Sequence, residues 1–355
     1  MKKISGRQFL IFYFIYSFAI KFLMLPHFLS VVAGRDAWIA MGSGALIELL
    51  VLWVVLFVMT RDKEKDVYNG LRSPFLAKPV SVIIFAFFLA QTLITLEHTK
   101  YLLSHTLYET LSVHMFIIPM LILGAFFCYS KTRAVFRSGE IFYILIIVAI
   151  FLAVVPSVLK MDAREVLPVF GNGLRPVLRA VYNNLIYFEA AFVLLIFKGE
   201  VDIKGKFKCK FMTWAAIGVL MLIAFVFVYY SVFGPLANLR TLGIIDITGQ
   251  HSYITQGGRL EWIIVCVWLL LLLIRFGVLF YCCFATARYV THLQKFQPAW
   301  IVFPLAAGIY TAHLLLTLNK VLTVLRPFVL GFFVLVPLLF FVMAKIPQKG
   351  GSANA

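Results

Sequence analysis

Long apolar runs, each broken by only a few polar positions, recur from one end of this chain to the other. They predict ten helices, over roughly 8–30, 38–60, 79–107, 114–130, 138–159, 176–198, 211–234, 259–287, 297–318 and 322–344. Runs of this length suffice to cross a hydrocarbon core of roughly 30 Å. The first run is too long for the apolar stretch of a cleavable signal peptide, contains Lys21, and is followed by no small-x-small site. Two connectors stand out. "GPLANLRTLGIIDITGQHSYITQGG", between the seventh and eighth helices, is long for a connector and reads as a lid or binding element. "LPVFGNGLRPVLRA", leading into the sixth helix, carries Gly171, Gly173 and Pro176 and reads as a structured turn. The expected architecture is an all-α polytopic membrane protein with one transmembrane domain over 1–345 and a disordered cytoplasmic tail over 346–355.

Composition agrees with this pattern. The chain has 355 residues, of which 63% are hydrophobic and 13% charged, whereas a soluble domain has about 25% charged residues. A net charge of +17 could suggest a nucleic-acid partner, but in a membrane chain it is better explained by basic loops facing anionic lipid. With the amino terminus inside, twenty of the 32 Lys and Arg residues fall in inner segments, nine in outer segments, and three (Lys21, Lys100 and Arg275) within spans. That bias places both termini in the cytoplasm. The five cysteines, Cys128, Cys209, Cys266, Cys282 and Cys283, form no CxxC pair and read as free thiols rather than a metal site.

Ten spans with both ends inside divide into two halves of five, about 8–159 and 176–344. An odd-numbered repeat must insert the second time upside down, which is the inverted-repeat plan of many secondary transporters. In that plan the first helix of each half, here helices 1 and 6, is broken near the midplane. Helix 1 holds Ser17, Lys21 and Pro26, and helix 6 holds Asn183, Asn184 and Glu189. Asn competes for backbone partners in a helix interior. Backbone groups freed by a break are tolerated only around a cavity or a ligand.

Seven ionisable residues besides histidines lie within the expected spans: Lys21, Glu48, Glu97, Lys100, Glu140, Glu189 and Arg275. A lone charge at the bilayer centre costs about 2.5–3.5 kcal/mol on insertion scales, so each is a candidate for function. Glu48, Glu97, Lys100 and Glu140, nearer span ends or without a helix breaker beside them, read as pairs that lock helices. Lys21, Glu189 and Arg275 read as functional. His27 and His313 read as hydrogen-bonded histidines, and Trp268 as packing. The chain contains no HExxH, GxSxG, P-loop or DxD, so neither an enzyme nor a cofactor or metal is expected.

Several stretches resemble the spore germination receptor B-subunit family (GerAB-like permeases) of the amino acid–polyamine–organocation transporter superfamily. They are "GRDAWIA" (34–40), "RSGEIFYILIIVAI" opening helix 5, "LPVFGNGLRPVLRA" (167–180), "GGRLEWIIVCVWLLLLL" opening helix 8, and Arg7-Gln8 before helix 1. The resemblance implies a ten-helix, five-plus-five inverted repeat (a LeuT-like fold) in the inner membrane of an endospore. It also implies a nutrient-sensing role beside a larger membrane A subunit and a lipoprotein C subunit. A small, amino acid-like nutrient would bind at the helix 1 and 6 breaks. On that reading the ligand-binding candidates are Ala19, Lys21, Phe22, Leu23, Asn183, Asn184, Tyr187 and Arg275, with Glu189 the proton-sensitive carboxylate. One departure matters. Where relatives carry a Gly-x-Gly-like pair before Leu23-Met24-Leu25-Pro26, this chain has Ala19 and Lys21. The alternatives are a stand-alone transporter of an amino acid or organic cation, proton-linked or uncoupled, and a non-transporting scaffold whose pocket Lys21 fills.

Overall fold

A computed structural model describes residues 4–61, 74–106, 113–130, 132–203, 207–250, 260–291, 298–315 and 318–345. The expected tail over 346–355 and residues 251–258 of the long outer connector lie outside the described residues. The described chain is almost wholly helical. In order it comprises α1 (Gly6–Lys21), α2 (Leu25–Ala33), α3 (Ala37–Arg61), α4 (Pro74–Thr106), α5 (Val113–Tyr129), α6 (Thr132–Val158), α7 (Leu174–Asn184) and α8 (Ala190–Ile196). These are followed by α9 (Phe207–Phe233), α10 (Gly243–Gly249), α11 (Leu260–Val290), α12 (Ala299–Leu315) and α13 (Leu318–Lys345).

Among the described residues, six stretches are long and apolar enough to cross a membrane: Leu25–Thr60, Lys78–Thr106, Gly139–Val158, Leu174–Ile196, Phe207–Asn238 and Glu261–Val290. Shorter apolar helices, His114–Tyr129, Ala299–Leu314 and Val324–Leu339, accompany them. The chain is an all-α, multi-pass membrane protein. Its outward faces fit that solvent, since Ile122, Phe126, Ile144 and Phe151 are all exposed. α11 lies at the centre of the bundle, packed against α1, α4, α5 and α12, with Trp268, Leu272, Phe276 and Leu279 fully buried.

Local chemistry sets the first helix in place. Ser5 caps α1 reciprocally with Gln8: the Gln8 N–H donates to Ser5 Oγ and the Ser5 N–H to Gln8 Oε1, both at 3.3 Å. Just before it, β1 (Ile4–Ser5) pairs in parallel with β2 (Val201–Asp202), with Ile4 opposite Val201. This ties the start of α1 to the segment that follows α8. Glu140 of α6 closes the same end, 3.3 Å from Gln8 Nε2 and 3.9 Å from Arg7 Nε.

At the opposite end of α1–α2, two of the sequence stretches singled out above meet. Gly34 ends α2 at φ 60°, a left-handed conformation that suits glycine. The turn it makes delivers Arg35 and Asp36 to the 167–173 loop. Arg35 Nη1 donates to the Leu167 carbonyl at 2.6 Å, and the Phe170 N–H donates to Asp36 Oδ1 at 2.8 Å. Asp36 is fully buried there, so "GRD" and "LPVFGNG" form one structural unit.

Candidate functional site

The first long apolar run is not one helix. α1 stops at Lys21 and α2 begins at Leu25 with Pro26 in its first turn. Tyr13, Ser17 and Lys21 recur every four residues and therefore share a face of α1. That face meets Glu48, midway along α3. Lys21 Nζ is ion-paired with Glu48 Oε2 and donates to Ser17 Oγ at 2.7 Å, while Tyr13 OH donates to Glu48 Oε1 at 3.3 Å. As the last residue of α1, Lys21 also places its charge where the helix dipole favours a cation.

The sixth run is likewise subdivided. α7 ends at Asn184, residues Leu185–Phe188 form a 3-10 turn, and α8 begins at Ala190. Glu189, between the turn and α8, is ion-paired with Arg275 of α11. Arg275 Nη1 donates to the Tyr16 carbonyl at 2.9 Å and Nε to Thr95 Oγ1 at 3.3 Å. Tyr16 OH adds a bond to Glu189 Oε1 at 2.9 Å, and the guanidinium lies 4.3 Å from the centre of the Tyr16 ring. Glu189 Oε2 has no hydrogen-bond partner among the described residues.

Lys21, Glu48, Glu189 and Arg275 are each at most 1% exposed, so four charges stand buried in one region. Each is matched by a partner of opposite sign, and the cluster is neutral overall. Removing one member of such a pair costs about 3–5 kcal/mol, because the other is left buried and uncompensated. Lys21 also approaches the sixth run, with Nζ 5.3 Å from the centre of the Phe188 ring.

The helix 1 interruption frees backbone carbonyls, and their destinations can be followed one by one. The Leu23 N–H, which a regular α-helix would direct to Ala19, donates instead to Ile20 at 3.1 Å. The Ala19 carbonyl accepts from Trp268 Nε1 at 3.1 Å. The Phe22 carbonyl accepts from the Ile244 N–H at 3.1 Å, and the Leu23 carbonyl from the Gly243 N–H at 2.7 Å. The last two donors are the first residues of α10, in the long outer connector. A helix's first N–H groups have no partner within the helix, so α10 and the interrupted helix 1 satisfy each other. Gly243 permits the approach: a Cβ there would lie 2.7 Å from the Phe22 oxygen and 3.3 Å from the Leu23 oxygen.

The remaining candidates are spread around this centre. Asn184 is buried and donates to the Ala180 carbonyl, one turn back in α7, at 2.9 Å. Asn183 points away from it, into a cleft between α2 and α7. The Tyr187 hydroxyl is 3.2 Å from His98 Nε2, and its ring stacks on Phe28 at 5.6 Å between centres. Gln91 Nε2 donates to the Ile186 carbonyl of the 3-10 turn at 2.7 Å, leaving Gln91 Oε1 without a partner among the described residues.

The structure therefore brings Ala19, Lys21, Phe22 and Leu23 together with Glu189 and Arg275, and holds Tyr187 nearby through helix 6. It adds residues the sequence reading did not place here. Glu48, read as one of the charges that lock helices together, is the direct partner of Lys21. Trp268, read as packing, satisfies a carbonyl beside the break. The four-residue spacing of Tyr13, Ser17 and Lys21 was the legible sign of the polar face, whereas nothing in the sequence marks Thr95 or Gln91. Outside the centre, His313 Nδ1 lies 3.3 Å from Glu97 Oε1, and all five cysteines are free thiols.

A membrane bundle in which paired charges and interrupted helices meet in the interior is the arrangement of a permease-like protein. Comparison with known proteins agrees: the family described as "Spore germination protein" matches residues 3–321. The chain belongs to this spore germination permease family. It is also similar to Spore germination protein KB of Bacillus subtilis (strain 168), with 24% identity over 378 residues, covering 98% of this chain and 96% of the relative.

Proposed function

We propose that this chain is the permease-like subunit of a spore germinant receptor and senses a small, amino acid-like nutrient where helices 1 and 6 are interrupted. The observation that carries the reading is the family match over residues 3–321, taken with the buried polar cluster at both interruptions. The twenty-to-nine distribution of basic residues supports cytoplasmic termini, in a ten-helix arrangement of two inverted halves of five. A larger membrane subunit and a lipoprotein subunit complete the receptor in the inner membrane of the spore.

On this reading α10 is the cover of the site. It holds the Phe22 and Leu23 carbonyls that a ligand's donor groups would use, so nutrient and α10 compete for the same acceptors. Binding then favours the conformation in which α10 has moved, and that differential affinity is the signal. Lys21 supplies, covalently, a cation beside the helix 1 interruption. Glu48 neutralises it, so ligand recognition proceeds without sodium, and Glu189 is the proton-sensitive carboxylate.

Thermal-shift screening of the purified protein against amino acids and other small nutrients, at two pH values and with or without sodium at constant ionic strength, tests the reading. A nutrient should raise the melting temperature equally with and without sodium. A sodium-dependent affinity removes the tethered-cation role for Lys21. Uptake of labelled solute by the chain alone in proteoliposomes would make it a transporter rather than a receptor subunit.

A further inference from the structure

Between α2 and α7, away from the buried cluster, lies a cleft of about 620 Å3 lined by Val31, Val32, Arg175, Pro176, Arg179 and Asn183. Arg175, Arg179 and Asn183 follow one another at four-residue intervals, which stacks them along one face of α7. No carboxylate lines the cleft. Among the described residues neither guanidinium makes an ion pair or hydrogen bond. Beside this cationic ladder runs an exposed apolar one, Leu174, Leu178 and Tyr182, with exposed Val31 across the cleft.

The depth of these residues is decisive. Helices rise about 1.5 Å per residue, so Arg175 stands roughly 15 Å along the axis from Leu185, where α7 gives way to the 3-10 turn. Half of a hydrocarbon core is also roughly 15 Å. With the interruption near the midplane, Arg175 reaches the headgroup level. Arg179, about 9 Å from the turn, reaches the same level by extending its side chain. Val31 and Val32 stand at a similar height above the other interruption. Two unpaired guanidiniums at phosphate depth, beside an apolar stripe running toward the membrane centre, match the two ends of one molecule.

The geometry points to a binding site for an anionic phospholipid of the outer leaflet. Arg175 and Arg179 clamp its phosphate, which guanidinium forks suit. An acyl chain lies along Leu178, Tyr182 and Val31. The leaflet rests on the orientation proposed above, while the phosphate contact does not. A free phosphate ester shares the headgroup chemistry but leaves the apolar stripe uncovered.

Native mass spectrometry of the purified full-length protein, titrated with phosphatidylglycerol, phosphatidylcholine or sn-glycerol 1-phosphate, tests the assignment. Phosphatidylglycerol should be retained in preference to phosphatidylcholine, and millimolar glycerol phosphate should not displace it. Neutralising each arginine, as Arg175→Gln or Arg179→Gln, should weaken phosphatidylglycerol about fivefold, the factor for about 1 kcal/mol per basic residue. Phosphatidylcholine should be unaffected, and Arg164→Gln, another outer cation, should change neither lipid. If the neutral variants fail to fold, Arg175→Lys with Arg179→Lys keeps the charge but removes the forks, and should retain a weakened preference. Equal binding of the two lipids, an undiminished preference in the glutamine variants, or displacement by glycerol phosphate would each overturn the assignment. Displacement would make this a soluble-anion site.

Discussion

Gly243→Ala is the sharpest test of how the helix 1 interruption is closed. The added Cβ would lie 2.7 Å from the Phe22 carbonyl oxygen, 3.0 Å from Pro26 Cγ and 3.3 Å from the Leu23 oxygen. Two of these are backbone atoms, so no side-chain rotation relieves the contact and α10 must shift. The shift breaks the bonds from the Gly243 and Ile244 N–H groups, at 2.7 and 3.1 Å. Each is worth about 0.5–1.5 kcal/mol net. Together they change the balance between docked and undocked α10 by about 1–3 kcal/mol, a factor of about 5–150. Hydrogen–deuterium exchange of the purified protein reads this directly: amides over 243–249 and around 22–24 should lose protection together, while the centre of α11 keeps its own. Unchanged exchange in both segments would refute the closure of helix 1 by α10. Exchange increased throughout α11 would show global destabilisation instead of a local release.

Other consequences follow from the buried contacts. Lys21→Ala leaves Glu48 buried and unpaired and should destabilise the protein by about 3–5 kcal/mol. Lys21→Met combined with Glu48→Gln should recover most of that loss in thermal unfolding, and a double variant as unstable as the single would deny the coupling. Trp268→Phe removes the donor to the Ala19 carbonyl while keeping an aromatic ring, and should cost about 1–3 kcal/mol in the same measurement. Burial pushes the Asp246 carboxyl up from its ordinary value, partly opposed by its bond from the Leu242 N–H. Protonation therefore favours the folded arrangement: the contribution is full below the ordinary aspartate value of about 3.9 and fades as pH rises through the raised one. Asp246→Asn keeps an acceptor for Leu242 and should flatten this dependence in exchange over α10 as pH rises above the ordinary aspartate value of about 3.9.

What the sequence by itself determined is the solvent, the helical class and the family. Hydropathy is a local property, so apolar runs declare a membrane protein wherever they pack, and "GRDAWIA" with "LPVFGNGLRPVLRA" carries the family resemblance. Lys21, Glu189 and Arg275 were legible as buried charges for the same local reason. Their partners were not. The pairing of Lys21 with Glu48 joins residues 27 apart, that of Arg275 with Glu189 residues 86 apart, and Trp268 reaches Ala19 across 249. Only helix packing sets such contacts, because a long side chain can meet any of several neighbouring helices. Glu48 shows the difference: the sequence placed it within the second span as a helix lock without naming its partner, and folding sets α3 (Ala37–Arg61) so that it meets Lys21. The closing of helix 1 was equally hidden. Tertiary structure alone brought the first N–H groups of α10 to the freed carbonyls of Phe22 and Leu23, since an unpaired backbone group inside a bundle takes the donor that folding places beside it.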